Sequence, residues 1–80
     1  MRALITGGTR GIGLACCRLF FRMGFEVVAL YSSDESAAQT ARKELPDVRF
    51  LRADVSDEQR MREVFAEIGP IDVLVNNAGI

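Results

Sequence analysis

The sequence contains no histidine and no tryptophan, and only one tyrosine and two cysteines occur among its 80 residues. Without histidine, the chain cannot form a triad that uses a histidine base, and it lacks the commonest ligand of catalytic zinc. The cysteines are the adjacent Cys16 and Cys17, which cannot build a disulfide framework. We therefore expect structural thiols there, and we predict no metal site.

An excess of charge of one sign is also missing. Ten basic residues stand against eleven acidic ones, for a net charge of −1. This balance removes the main electrostatic attraction to nucleic acid or to an anionic membrane. No uncharged apolar run approaches the roughly 20 residues of a membrane-spanning helix, and no secretory leader opens the sequence. We therefore expect a cytoplasmic protein that binds neither nucleic acid nor a membrane.

Apolar residues make up 49% of the sequence and charged residues 26%, which is ordinary for a folded domain. Short apolar runs predict four strands, at residues 3–5, 25–31, 48–51 and 71–75, and helical patterns lie between them. Strands that alternate with helices form a parallel sheet through right-handed crossovers. The sequence therefore predicts an α/β domain of the form β-α-β-α-β-α-β.

Spacing also predicts helix faces and helix ends. One apolar face of the first helix is predicted from the i, i+3, i+4 and i+7 pattern, at Ile12, Ala15, Cys16, Leu19, Phe20 and Met23. Further apolar residues on a second face suggest a helix that is buried on much of its circumference. The S-x-x-E run 32–35 and the S-x-x-Q run 56–59 are typical of capping boxes, which predicts that Ser32 and Ser56 cap the next two helices.

A glycine-rich turn, Thr6-Gly7-Gly8-Thr9-Arg10-Gly11-Ile12-Gly13, joins the first strand to the first helix. Glycine permits positive φ angles and lets a ligand approach the backbone closely. The start of a helix adds unpaired N–H groups and a partial positive charge, which suit a pyrophosphate. The position of the turn in a βαβ unit favours a dinucleotide site. A tight turn that binds nothing is the alternative, and a P-loop fits less well because no Gly-Lys-Ser/Thr follows.

The glycine turn and two later motifs resemble the classical short-chain dehydrogenase/reductase family. The motifs occur in the family's order as Thr6, Gly7, Gly11 and Gly13, then Asp54-Val55, then Asn76-Asn77-Ala78-Gly79. The run 73–80 looks especially like the 3-oxoacyl-[acyl-carrier-protein] reductases. The resemblance implies an NAD(P)-dependent oxidoreductase that reduces a ketone, such as a 3-oxoacyl thioester, to an alcohol.

The resemblance also implies a fold and its extent. It predicts a Rossmann-type doubly wound parallel sheet in which residues 1–80 form the amino-terminal half of one NAD(P)-binding domain. We predict strand order 3-2-1-4, with the first two helices on one face and the third on the other. Because the sheet is incomplete at the carboxyl end, the fourth strand is expected at an unpaired edge, which favours self-association.

The same resemblance assigns residues to the cofactor. Those expected to cradle the phosphates and the adenosine ribose are Gly7, Thr9, Arg10, Gly11, Ile12 and Gly13. Asp54 is expected to accept a hydrogen bond from the adenine amino group, with Val55 packed beside the ring. The residues expected under the nicotinamide-side ribose are Asn77, Ala78 and Gly79. Asn76 is expected to hold the sheet together, and the Thr6 hydroxyl to tie the turn to a neighbouring strand. The alternatives are that Asp54 is an ordinary loop carboxylate and that the asparagines are turn residues.

The cofactor is predicted to be NADP rather than NAD. Enzymes that bind NAD often carry an acid at the end of the second strand, where it holds the ribose 2′-hydroxyl. Here that end reads Leu-Tyr-Ser-Ser, and Asp34 comes later. Arg10 can make a charge-assisted contact with a 2′-phosphate, and Ser32 can donate a hydrogen bond to it. In the alternative, Arg10 is solvated and Ser32 only caps a helix.

No catalytic residue is assigned. The family uses a tyrosine as general acid with a lysine four residues later, whereas the only tyrosine here is Tyr31 and position 35 holds Glu35. A chain without this pair is expected to be nearly inactive by itself. It is then the amino-terminal fragment of a reductase, homo-oligomeric at full length, or a stand-alone non-enzymatic nucleotide-binding module. A degenerate half-domain that pairs with itself is a further hypothesis.

Overall fold

The structure is a computed structural model and describes residues 1–77. Its elements, in order, are β1 (Arg2–Thr6), α1 (Gly11–Arg22), β2 (Glu26–Tyr31), α2 (Glu35–Glu44), β3 (Arg49–Arg52), α3 (Glu58–Ile68) and β4 (Val73–Val75). The four strands form one sheet in the order β3-β2-β1-β4, and all pairs are parallel. The predicted Rossmann-type topology is confirmed.

The central strands are buried on both faces. Side chains of β1 alternate between two cores: Ile5 packs with Ala29 on one side, and Leu4 packs with Val28 on the other. Parallel strands covered on both faces read as continuous apolar runs rather than alternating ones, which is the pattern of β1 and β2. Because the strands are parallel, their carboxyl ends lie along the same edge of the sheet.

Helices cover both faces of the sheet as predicted. On one face, α1 contributes Cys17 and α2 contributes Ala38 and Ala41 to the core. On the other face, α3 contributes Val64 and Ile68. Within residues 1–77, no helix is both long enough and apolar enough to cross a membrane.

The predicted apolar face of α1 is only partly confirmed. Cys16 and Phe20 pack against the core, whereas Ile12 is 71% exposed and Met23 is 59% exposed. The fully buried residues of α1 are Gly13 and Cys17. A Cβ atom on Gly13 would lie 1.9 Å from the carbonyl oxygen of Gly7. This close backbone approach turns Gly13 and Cys17, one helical turn apart, toward the sheet, so part of the predicted face is turned to solvent.

The predicted helix caps are wrong. The N-cap of α2 is Asp34, whose side chain accepts from the Ala37 N–H, and the N-cap of α3 is Asp57, which accepts from the Arg60 N–H. Serine and aspartate cap helices about equally well, so the S-x-x-E and S-x-x-Q spacing does not decide between them. Ser56 instead donates to Asp54 through its hydroxyl and its N–H, and the next residue, Asp57, takes the cap.

Candidate functional site

Two clefts lie at the carboxyl ends of β1, β2 and β3. The first cleft, of about 230 Å³, is lined by Gly7, Leu30, Tyr31, Ser32, Ala53, Asp54 and Val55. The second cleft, of about 110 Å³, is lined by Gly7, Thr9, Arg10, Tyr31, Ser32, Ser33 and Asp34. Ligands of open α/β sheets bind outside the carboxyl ends of the strands, so this edge is the candidate site.

Two glycines of the turn serve different purposes. Gly11, the first residue of α1, has a φ of +58°, and a Cβ atom built on it would meet nothing within 4 Å. A ligand can therefore reach the backbone there. Gly13 is instead buried against the Gly7 carbonyl, so its missing side chain allows the start of the helix to pack on the turn. Gly11 opens the site and Gly13 supports it.

The amino end of α1 differs electrostatically from those of the other two helices. Its N-cap, Arg10, makes no side-chain cap hydrogen bond, and its first turn holds no acidic residue. By contrast, α2 and α3 each have an aspartate cap followed by a glutamate. Among the helices of residues 1–77, α1 is thus the one whose terminal partial positive charge is not offset by its own first turn. Such a terminus favours an anion.

The segment after β4 is tied to the glycine turn, as predicted for Thr6. The Asn77 N–H donates to Thr6 Oγ1 at 2.9 Å, and Asn77 Nδ2 donates to the Gly7 carbonyl at 3.1 Å. Thr6 Oγ1 also lies 3.4 Å from the Val75 carbonyl and 3.3 Å from Asn76 Oδ1. Asn76 and Asn77 therefore link β4 to β1 and hold the turn in place. Ala78 and Gly79, two further predicted site residues, lie outside the described residues.

Asp54 lies at the wall of the first cleft and is exposed. Its Oδ1 accepts from the Ser56 hydroxyl at 2.7 Å and from the Ser56 N–H at 2.9 Å. These two hydrogen bonds, the hydroxyl first, lower the pKa of Asp54 below its ordinary value. The carboxylate is therefore ionised at neutral pH and acts only as an acceptor. Val55 beside it is 42% exposed and gives the cleft an apolar wall.

Arg10 and Asp34 form an ion pair at the second cleft. Arg10 Nη1 donates to Asp34 Oδ2 at 3.2 Å, while Asp34 Oδ1 accepts from the Ala37 N–H. The Arg10 side chain is 78% exposed, so it is both solvated and paired. Ser32 does not cap α2, and it lines both clefts. Sequence reasoning did not include Asp34 in the site, although its position two residues after Ser32 was a usable signal.

Tyr31 ends β2 and lines both clefts, but its side chain is buried in the core. Its hydroxyl donates to Glu35 Oε1 at 3.0 Å and accepts from Arg42 Nη2 at 3.1 Å. The Arg42 guanidinium also lies over the ring, 5.5 Å from its centre. The only tyrosine therefore stabilises the junction between β2 and α2. The sequence did not predict this network.

The two thiols are free. Cys17 is buried, and this burial, with a smaller effect of Cys16, raises the pKa of the Cys17 thiol to about 12. Its Sγ points to the Gly8 carbonyl at 3.6 Å, directly behind the glycine turn. The expected structural role is confirmed for Cys17. Within residues 1–77, no group of three or more candidate ligand side chains is arranged to hold a metal ion.

Comparison with known proteins decides the family. The family described as short chain dehydrogenase matches residues 1–80. The chain belongs to the short-chain dehydrogenase family. The resemblance seen in the glycine turn, in Asp54-Val55 and in the asparagine motif is thereby confirmed.

Three short-chain dehydrogenases that are similar to this chain differ in the substrates that their names give. It is 44% identical over 82 residues to the D-xylose 1-dehydrogenase of Caulobacter vibrioides, covering 98% of this chain and 33% of that protein. It is 39% identical over 87 residues to a 3-oxoacyl-[acyl-carrier-protein] reductase of Chlamydia muridarum, covering 98% and 35%. The closed form of serine dehydrogenase complexed with NADP+ matches with a TM-score of 0.85 and 32% identity, over 100% of this chain and 34% of that one. The chain thus spans about a third of the length of these relatives.

Proposed function

We propose that this chain binds a nicotinamide dinucleotide and forms the cofactor-binding part of an oxidoreductase that reduces a ketone to an alcohol. The observation that carries the proposal is the start of α1, where an open Gly11 backbone meets a helix terminus with no acidic cap. An anionic pyrophosphate suits that combination of exposed N–H groups and partial positive charge. When bound, the dinucleotide supplies the hydride, and the chain's own residues hold and orient it.

The phosphates and their ribose belong at the glycine turn in this proposal. Residues proposed to contact or support them are Gly7, Thr9, Arg10, Gly11, Ile12 and Gly13. Gly13 supports the turn rather than contacting the phosphates, because its packing on the Gly7 carbonyl sets the shape of the turn. Thr9 is 6% exposed and lines the second cleft, where we propose that it supports the turn beside the phosphates.

The adenine belongs in the first cleft. Asp54 is held ionised by Ser56, so it accepts a hydrogen bond from an exocyclic amino group and rejects an acceptor in the same place. Leu30, Ala53 and Val55 give the cleft an apolar lining suited to a flat ring. At the other end, Asn77, Ala78 and Gly79 are proposed to pass under the nicotinamide-side ribose.

We propose NADP as the preferred cofactor. Arg10 lies at the second cleft with Ser32 and Ser33, where its guanidinium and their hydroxyls suit a 2′-phosphate. The serine dehydrogenase structure, which contains NADP+, supports a nicotinamide dinucleotide in this fold. Calorimetric titration of the 80-residue chain with NADP+ and with NAD+ tests both points. Failure to bind either would overturn the cofactor site, and a tenfold preference for NAD+ would overturn NADP.

The proposed reaction class rests on family membership and on the matched 3-oxoacyl-[acyl-carrier-protein] reductase. We propose a carbonyl substrate, with a 3-oxoacyl thioester as the candidate, and residues 1–80 as the amino-terminal half of the cofactor-binding domain. Homo-oligomeric assembly and a cytoplasmic location stay predictions from the sequence.

One observation favours a second function for the chain taken alone, that of a dinucleotide-binding module without catalysis. Its only tyrosine is buried, and the hydroxyl is hydrogen-bonded to Glu35 and Arg42. A group held in this way does not reach a substrate carbonyl. Both candidates predict that residues 1–80 bind NADPH without oxidising it, and steady oxidation in the presence of a 3-oxoacyl thioester would contradict both. The reading frame beyond Ile80 separates them: a Tyr-x-x-x-Lys motif downstream identifies the reductase, and a stop codon identifies the module.

A further inference from the structure

Asp54 is the charged residue of the first cleft. The described residues that line this cleft include no other side chain that is charged at neutral pH, and Leu30, Ala53 and Val55 give it an apolar lining. In a mainly apolar site, a few well-placed polar groups decide the orientation and the identity of the ligand. The direction of this carboxylate therefore decides which polar edge of a flat ring the first cleft accepts.

Hydrogen bonds hold the backbone on both sides of Asp54. The Ala53 N–H donates to the Tyr31 carbonyl at 2.8 Å, and the Asp57 N–H donates to the Asp54 carbonyl at 2.9 Å. Asp54 itself is exposed. Because the backbone is held, rotation about the side-chain bonds is the freedom that the carboxylate still has.

Ser56 removes that freedom. Its hydroxyl donates to Asp54 Oδ1 at 2.7 Å, and its N–H donates to the same oxygen at 2.9 Å. Within residues 1–77, both of the hydrogen bonds that this carboxylate accepts end on Oδ1, so Oδ2 is left for a donor on a ligand. Ser56 does not line the first cleft, so any effect that it has on a ligand there acts through Asp54.

We propose that Ser56 is a positioning residue, which fixes the Asp54 carboxylate so that the first cleft prefers adenine to hypoxanthine. The inference rests on the proposed function and deepens it, because it names a residue that sets the base specificity. Hypoxanthine carries an oxo group in place of the amino group of adenine, so an acceptor would face the acceptor Oδ2. Its donor is the neighbouring ring N–H. A carboxylate held by Ser56 cannot turn to that N–H, whereas a released carboxylate can.

The test is the ratio of two dissociation constants, that of the hypoxanthine analogue of NADP+ over that of NADP+, measured by calorimetry on the 80-residue chain. Ser56→Ala removes the hydroxyl and keeps the N–H. We expect it to lower the ratio by about fivefold, the order of effect of a polar side chain that the ligand must immobilise itself. A purely structural role would weaken both ligands alike and leave the ratio unchanged. NAD+ and its hypoxanthine analogue should respond in the same way, because the adenine end is common to both cofactors.

Two further variants serve as controls. Ser56→Thr keeps the hydroxyl, so its ratio should stay within twofold of that of the unmodified chain. Ser36→Ala removes the hydroxyl of another exposed serine near the start of a helix, one that lines neither cleft, and it should also stay within twofold. Circular dichroism verifies folding, and Ser56→Gly replaces Ser56→Ala if that variant does not fold.

An Asp54→Asn background reverses the expected sign. With Ser56 still donating to Oδ1, the amide nitrogen takes the place of Oδ2 and donates to the oxo group, so Asp54→Asn alone should favour hypoxanthine. Adding Ser56→Ala lets the amide turn over and accept from the amino group of adenine. The ratio should then rise, whereas Ser56→Ala lowers it when Asp54 is present.

The outcomes separate the two proposals. If the chain binds dinucleotides but shows no preference for adenine, or if the ratio is unchanged or rises in Ser56→Ala, the inference fails alone. An equal fall in Ser56→Thr or Ser36→Ala also overturns it, as does a fall in the Asp54→Asn background. If the unmodified chain binds no dinucleotide, the proposed function fails and the inference fails with it.

Discussion

The backbone of Gly13 lies against the carbonyl oxygen of Gly7, so close that a Cβ atom on Gly13 would come within 1.9 Å of that oxygen. Asn77 Nδ2 donates to the same carbonyl at 3.1 Å and would itself lie 2.8 Å from the added Cβ. The glycine turn, the start of α1 and the segment after β4 therefore meet at one crowded point.

Gly13→Ala is expected to destabilise the chain by about 1–3 kcal/mol, because backbone rather than a flexible side chain must move. The measurement is the free energy of unfolding from urea denaturation. Ile12→Ala is the neighbouring control, since Ile12 is 71% exposed and its truncation should change stability by less than about 0.5 kcal/mol. Equal stability of Gly13→Ala and the unmodified chain would contradict the packing described for this turn.

Gly11→Ala is expected to weaken dinucleotide binding at least tenfold, because a methyl group enters the open space at the start of α1. The control is Gly24→Ala. Both glycines have a positive φ, +58° and +87°, and at both a new Cβ meets nothing within 4 Å. The two variants should therefore lose similar stability in thermal melts, and only Gly11→Ala should lose affinity. A similar loss of affinity in both would assign the effect to backbone strain.

The pKa of Asp54 should rise toward its ordinary value in Ser56→Ala, because the Ser56 hydroxyl is the largest cause of its lowering. Since the native pKa is depressed, the contribution of Asp54 to stability is complete above its unfolded-state pKa and is lost as pH falls through the native pKa. Carboxyl-carbon NMR titration of Asp54 reports the shift directly. An unchanged titration in Ser56→Ala would assign the lowering to other groups.

Cys17 should resist alkylation in the folded chain. The thiolate is the reactive form, and burial raises the pKa of Cys17 to about 12, so almost none is present at pH 8. Iodoacetamide followed by mass spectrometry should label the half-buried Cys16 first. Both residues should react in urea, which confirms that the fold protects Cys17. Equal labelling of the two under native conditions would contradict the burial of Cys17.

Self-association is expected at the β4 edge. β4 pairs with β1 within the described sheet, and Leu74 on it is 58% exposed. Leu74→Lys should reduce dimerisation in sedimentation velocity, because charge on an edge strand opposes further pairing. Leu19→Lys is a matched control, as Leu19 is 55% exposed on α1, away from the edge. If the unmodified chain is monomeric at high concentration, association through the edge is excluded. It is also excluded if Leu74→Lys and Leu19→Lys reduce dimerisation equally.

The sequence by itself determined the alternation of strands and helices and the glycine turn, because these depend on local spacing. The strand order followed from the family resemblance, whose three motifs extend from Thr6 to Gly79. The tertiary structure decided the buried face of α1, the aspartate caps, and the contacts of Asn77 with Gly7 and of Arg10 with Asp34. Each depends on how closely separate segments approach: Arg10 and Asp34 are 24 residues apart and Gly7 and Asn77 are 70 apart. Periodicity shows which residues of α1 are apolar, but the packing of the helix on the sheet decides which of them are buried.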